Sequence, residues 1–154
     1  MPYRIPPAKL LSQTISEVIR DKRSVVSQKR FTELVLAVLK KKDEGYSVSE
    51  ERVRRMAIHK NLVRIHIHYR VTEKRSDGGR CPVCGSATKE LQNQTLDGME
   101  VKLGFRCSKC PYWTGPERRV PVRYTFLSLQ EGVIEPLPKK RRKKDDKYAQ
   151  WKFA

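Results

Sequence analysis

Cys81-Pro-Val-Cys84-Gly85 and Cys107-Ser-Lys-Cys110, with 22 residues between Cys84 and Cys107, carry all four cysteines of the chain. A C-x-x-C run bends the backbone tightly enough for two thiolates to reach one ion, while amides of the same turn point at the sulfurs. Two such turns complete a tetrahedral shell of four sulfurs. That shell leaves no position for water or substrate, so an ion held this way is structural and not catalytic. Two other readings use the same residues. A thioredoxin-type redox site needs one C-x-x-C opening a helix, whereas both pairs here sit among strand-forming residues. A disulfide framework uses even numbers of widely spaced cysteines in a secreted chain, without this pairing and without this excess of lysine. A metal and a reducing compartment fit better.

Outward from the cysteines, residues 87–94 and 99–106 read as strands joined by the turn Leu96-Asp97-Gly98, and 120–129 reads as a third strand. With its two C-x-x-C turns this region resembles the zinc-ribbon family. The resemblance implies a three-stranded antiparallel ribbon and one structural Zn2+ ligated by Cys81, Cys84, Cys107 and Cys110. The interval between the pairs is slightly longer than the usual 15 to 20 residues and is read as longer hairpin arms. Pro111 stands where many ribbons have glycine, which bears on the geometry of the second turn. So small a ribbon buries too little apolar area to fold alone, and metal binding, about 10 to 16 kcal/mol in zinc-finger peptides, would dominate its folding. Phe105, Tyr112 and Trp113 flank the second pair and read as packing around it, with a role as stacking platforms as the alternative.

Upstream, residues 1–7 hold three prolines and read as an extended arm. Leu10, Leu11, Ile15, Val18 and Ile19 recur at three- and four-residue steps, which predicts a helix over 8–20. Phe31, Leu34, Val35, Val38 and Leu39 predict a second over 27–42, stopped at Asp43-Glu44-Gly45. A third begins at Ser47 or Ser49, where Ser47 and Glu50 have capping-box spacing, and runs to Lys60. The period then changes to two. Val63, Ile65, Ile67, Tyr69 and Val71 alternate with Arg64, His66, His68 and Arg70, a half-buried strand with one basic face. Three helices followed by a strand resembles a winged-helix module over residues 8–75. The helices have apolar faces of their own and no metal ligand, so this module is expected to survive loss of the metal. The fold class is therefore α+β: an arm (1–7), a winged-helix-like module (8–75), a zinc ribbon (76–130) entered through the joint Ser76-Asp-Gly-Gly-Arg80, and a basic extension (131–154).

The charge decides the class of partner. Lys and Arg number 34 against 17 Asp and Glu, a net of +17, so a polyanion must supply counter-charge. A membrane is excluded as that polyanion by the absence of a long apolar run, signal core or lipidation motif, and the chain is expected to be soluble and cytoplasmic. Three basic elements are candidates. Arg52 and Arg55, with His59, share one face of the third helix, which a winged helix would present to a groove or to phosphates; a solvated face is the alternative. Arg64, His66, His68 and Arg70 project together from the strand. The two histidines could ligate a metal, but nothing nearby in sequence completes a site, which leaves a strand facing RNA or facing solvent. Lys139, Lys140, Arg141, Arg142, Lys143 and Lys144 form a run too self-repelling to fold alone. Residues 139–154 hold eight basic and two acidic side chains, suited to salt-sensitive, sequence-independent affinity, although a targeting or solubilising tail would look the same. Tyr148, Trp151 and Phe153 near its end suit docking in a pocket or stacking on bases.

The basic helical module, the CPVCG opening, the segment Tyr112-Trp-Thr-Gly-Pro116 and the basic extension together resemble small archaeal zinc-ribbon proteins, some of which belong to the small ribosomal subunit. That resemblance implies an architectural role, with rRNA and neighbouring ribosomal proteins as partners and no small-molecule substrate. The rival reading is a DNA-binding transcription regulator using Arg52 and Arg55 to read base edges. An enzyme is not expected. Asp97 and Glu100 are separated, unlike the adjacent acidic pair on ribbons of transcript-cleavage factors, and there is no nucleophile constellation, phosphate loop or open metal site.

Overall fold

The computed structural model describes residues 3–129. Within them the chain is α+β, with three helices and two three-stranded antiparallel sheets. The proline-bearing arm is extended and anchored. The Arg4 amide donates to the Gly45 carbonyl at 2.8 Å, the Ser47 amide donates to the Arg4 carbonyl at 2.9 Å, and Pro6 is buried.

Helix α1 (Ala8–Lys22) is followed by the two-residue strand β1 (Ser24–Val25). Helix α2 (Gln28–Lys40) is capped by Ser27, whose hydroxyl accepts from the Arg30 amide. Helix α3 (Glu50–His59) starts at Ser49, whose hydroxyl accepts from the Arg52 amide at 3.2 Å. The expected pairing of Ser47 with Glu50 is therefore replaced by a cap two residues later. The Glu50 carboxylate instead accepts from Gln28 on α2, at 2.9 Å.

Strand β2 (Val63–Arg75) is longer than its alternating pattern, because it continues past the core as one arm of a hairpin. The cysteine region follows as β3 (Thr88–Gln94), β4 (Glu100–Cys107) and β5 (Trp113–Thr114), before the long strand β6 (Glu117–Ser128). The sheets have the orders β1-β6-β2 and β3-β4-β5.

This pairing corrects the expectation that residues 120–129 form the third strand of the cysteine unit. Residues 120–128 lie in the central strand of the N-terminal sheet, which is in register with β2 from Val63–Ser128 to Arg75–Glu117 and has β1 on its other side. The reason is burial. Phe126 is fully buried and stacks on Phe31 of α2 with ring centroids 4.5 Å apart, completing a core of Leu11, Ile15, Val35, Leu39 and Val53. Burying such a side chain stabilises by about 1.5 to 3 kcal/mol. The third strand there is the short β5. The cysteine unit is thus an insertion between two paired strands, β2 and β6, and the helical module of residues 8–75 lacks the middle of its own sheet without 117–128.

Candidate functional site

The four cysteines are free, buried, and have all four sulfurs within 4.8 Å of one another, an arrangement able to hold a metal ion. The Cys81 and Cys110 sulfurs are 3.5 Å apart, and those of Cys84 and Cys107 3.4 Å. Both turns follow one plan. The Val83 amide donates to the Cys81 sulfur and the Lys109 amide to the Cys107 sulfur, each at 3.4 Å. Each turn closes by a bond from the first cysteine amide to a carbonyl five residues on: Cys81 to Ser86 at 2.8 Å and Cys107 to Tyr112 at 2.9 Å. The turns differ where the sequence differs. Gly85, at φ +78°, donates its amide to the Cys81 carbonyl at 2.9 Å; Pro111 has no amide to donate, and the second turn closes without that bond.

The thiols of the cluster shift in opposite directions, Cys107 being raised by burial. The hydrogen bond with Cys110 lowers the Cys81 thiol to about 5, and the backbone amides of Cys84 and Val83 add to this against the effect of burial. Cys110 moves the other way, raised by that same bond with Cys81 and by burial.

Helix α3 grips the first cysteine turn, an attachment with no sequence signal. Arg54 is buried and donates from Nε to the Val83 carbonyl at 2.8 Å; its NH1 bonds the Gln28 side chain, and its guanidinium lies 4.7 Å from the Tyr124 ring centroid. His59 Nε2 is 3.0 Å from the Cys84 carbonyl, which can only accept, so Nε2 carries the proton. Val83 is fully buried, in a single core cluster that holds the cysteines and the helical residues together.

Arg52, Arg55 and His59 are thereby held more tightly than a free basic face requires. Arg52 donates to the Pro6 carbonyl at 3.2 Å, Arg55 pairs with Glu51 at 2.6 Å and lies against Gly85, and His59 is committed to the cysteine turn. The strand face is more open. Arg64, His66 and Arg70 are exposed and His68 partly so, on the side of β2 opposite the buried Val63, Ile65 and Ile67. The histidine rings meet edge to face, with His66 Nδ1 3.3 Å from His68 Nε2. Register adds a residue that sequence could not: Arg123 of β6 lies opposite His68, on the same face and exposed. Lys139, Lys140, Arg141, Arg142, Lys143 and Lys144, with Tyr148, Trp151 and Phe153, lie outside the described residues. No described helix is long and apolar enough to cross a membrane.

Of the three aromatics read as packing, Tyr112 is buried and donates to the Arg119 carbonyl at 2.8 Å, while Trp113 is 42% exposed. The Arg119 guanidinium sits 3.5 Å from the Trp113 ring centroid. No protein-family model matches this chain, and comparison with curated proteins and with solved structures produces no match.

Proposed function

We propose that this chain is a non-catalytic, RNA-binding protein built around a structural zinc ion in a ribbon, and that its place is in the archaeal small ribosomal subunit, bound to rRNA and to neighbouring ribosomal proteins. The observation that carries the nucleic-acid reading is the outer face of the β2–β6 hairpin, where Arg64, His66, His68, Arg70 and Arg123 line up away from the core. The arginines that pair with carboxylates are Arg4, Arg30 and Arg55, all elsewhere; Arg64, Arg70 and Arg123 have no ion pair among the described residues. A twisted basic ribbon of this kind can follow phosphates and 2′-hydroxyls of folded RNA without reading base edges.

Cys81, Cys84, Cys107 and Cys110 would hold the ion. Zn–S bonds of about 2.3 Å require sulfurs about 3.8 Å apart, close to the spacing of this cluster. Bound zinc would supply fixed geometry to the turns and no reaction. The winged-helix reading is supported by the order helix, strand, helix, helix, strand and, after the inserted β3, β4 and β5, a last strand central in its sheet. The ribbon would then be inserted at the tip of the wing.

The rival regulator would read DNA through Arg52 and Arg55, and the internal bonds of both residues weigh against it. Competition at matched salt between small-subunit rRNA fragments and genomic DNA separates the readings. Replacing Arg64 and Arg70 with alanine should weaken rRNA binding without altering any preference among DNA duplexes. A DNA site preferred over rRNA, and blunted by changing Arg52 or Arg55 alone, would overturn the proposal. Co-migration with the small subunit on a sucrose gradient through a high-salt wash tests the ribosomal part.

A further inference from the structure

The outer face of the cysteine unit carries a second basic feature, built across three strands. Lys89 of β3 lies opposite Arg106 of β4, and Arg106 lies opposite Trp113 of β5. Directly opposed residues of antiparallel strands project to one face, so the three form a row about 10 Å long across the sheet. All three are exposed, whereas the next row, Glu90, Phe105 and Thr114, lies on the opposite face, which holds the buried Thr114. Lys89 and Arg106 make no ion pair among the described residues; the nearby carboxylate of Glu90 is on the other face and is taken by Lys102 at 3.1 Å. At the end of the row the Trp113 indole is held by the Arg119 guanidinium, yet stays 42% exposed. Arg119 is itself placed by Tyr69, whose ring centroid is 5.8 Å away, and its amide donates to the Thr114 hydroxyl at 3.0 Å.

An exposed indole fixed in orientation next to two uncompensated cations is suited to a ligand with both a flat ring and negative charge. We propose that the Lys89–Arg106–Trp113 row is a binding site for an unpaired nucleotide, the base stacking on Trp113 and the flanking phosphates meeting Arg106 and Lys89. Arg119 acts as a positioning residue: it fixes the indole and polarises it through the cation–π interaction. An acidic protein segment would satisfy the cations but would make no use of a rigidly held ring. A duplex keeps its bases stacked internally and presents none to Trp113. This inference rests on the nucleic-acid reading above and adds the single-stranded, base-dependent component that the hairpin face does not supply.

The test compares an oligouridylate with an abasic oligomer of equal length and phosphate count, at matched salt, on the full-length, metal-loaded protein. The unmodified chain should bind the base-containing oligomer more tightly, by about 5- to 150-fold. Trp113→Leu should reduce that ratio, Trp113→Phe should retain part of it, and the double variant Lys89→Gln, Arg106→Gln should weaken both oligomers alike and flatten the log–log salt dependence by about 1.4. Metal content measured on each variant reports whether the sheet is intact. Should Trp113→Leu lose its metal, the Trp113→Phe ratio and the salt slope of the double variant decide. An unchanged ratio and an unchanged slope would overturn the proposal. Equal binding of the two oligomers by the unmodified chain would also overturn it, leaving Trp113 as a protein contact and the hairpin face as the RNA surface. Failure to bind either oligomer, or rRNA, would remove the nucleic-acid reading itself.

Discussion

Arg54 shows how a single residue joins the helical module to the cysteine turn. Its guanidinium is buried between the Val83 carbonyl, the Gln28 amide oxygen and the Tyr124 ring, and its Nε bond to Val83 is 2.8 Å long. Arg54→Ala should cost about 2 to 4 kcal/mol, because it strands a buried carbonyl and opens a void; urea unfolding followed by circular dichroism measures it. Gly104 is a second such position. At φ +140° a Cβ there would stand 1.9 Å from the Thr114 carbonyl oxygen, so Gly104→Ala should break the β4–β5 pairing and expose the β5 amides to hydrogen exchange. Tyr69 supplies a pH test. Burial, with lesser contributions from the charges of Cys110 and Tyr112, pushes its phenol up to about 12. The folded state thus holds the phenolic proton more tightly than the unfolded one. This contribution to stability is complete below the ordinary pKa of about 10 and disappears as pH rises towards 12. Tyr69→Phe should remove that part of the alkaline loss in denaturation midpoints measured across pH.

At the scale of elements, the decisive relation is that β2 and β6 belong together and the cysteine unit hangs between them. Val83, fully buried in the core cluster shared with the helices, comes from the turn between Cys81 and Cys84. The helical module is expected to survive loss of the metal, but at a cost in stability. In Cys84→Ser the zinc proposed for the cluster should be lost, as elemental analysis against the unmodified chain would record. The helical signal should persist, but its unfolding midpoint should fall, because Val83 burial and the Arg54 bond together are worth about 3 kcal/mol or more. Against a total stability of about 5 to 15 kcal/mol such a loss is large. A midpoint unchanged by metal removal would mean that the two parts fold independently.

For the whole molecule, the net charge of +17 is divided between the described residues and a C-terminal run outside them. Deleting residues 139–154 should weaken RNA binding and flatten its dependence on log salt, by about 0.7 to 0.9 for each phosphate no longer neutralised, while zinc stays bound. An unchanged slope would assign the run to targeting or solubility.

Sequence by itself determined the local events in this protein. Three helices follow from apolar residues at three- and four-residue steps, the basic face of β2 from strict alternation, and the four ligand candidates from paired cysteines that cluster as expected. Each is legible because the periodicity or tight turn that produces it lies within one short stretch of chain. Tertiary structure decided what depends on partners far apart in sequence. Residues 120–129 have the composition of a strand for either sheet, and only the cavity beside Phe31 selects the N-terminal one for Phe126. Likewise nothing in the order of residues distinguishes Arg54, buried against Val83, from Arg52 and Arg55 on the surface turn beside it. The Lys89–Arg106–Trp113 row exists only through the register of three strands, a property set by side-chain packing and hydrogen bonding between segments rather than by any segment alone.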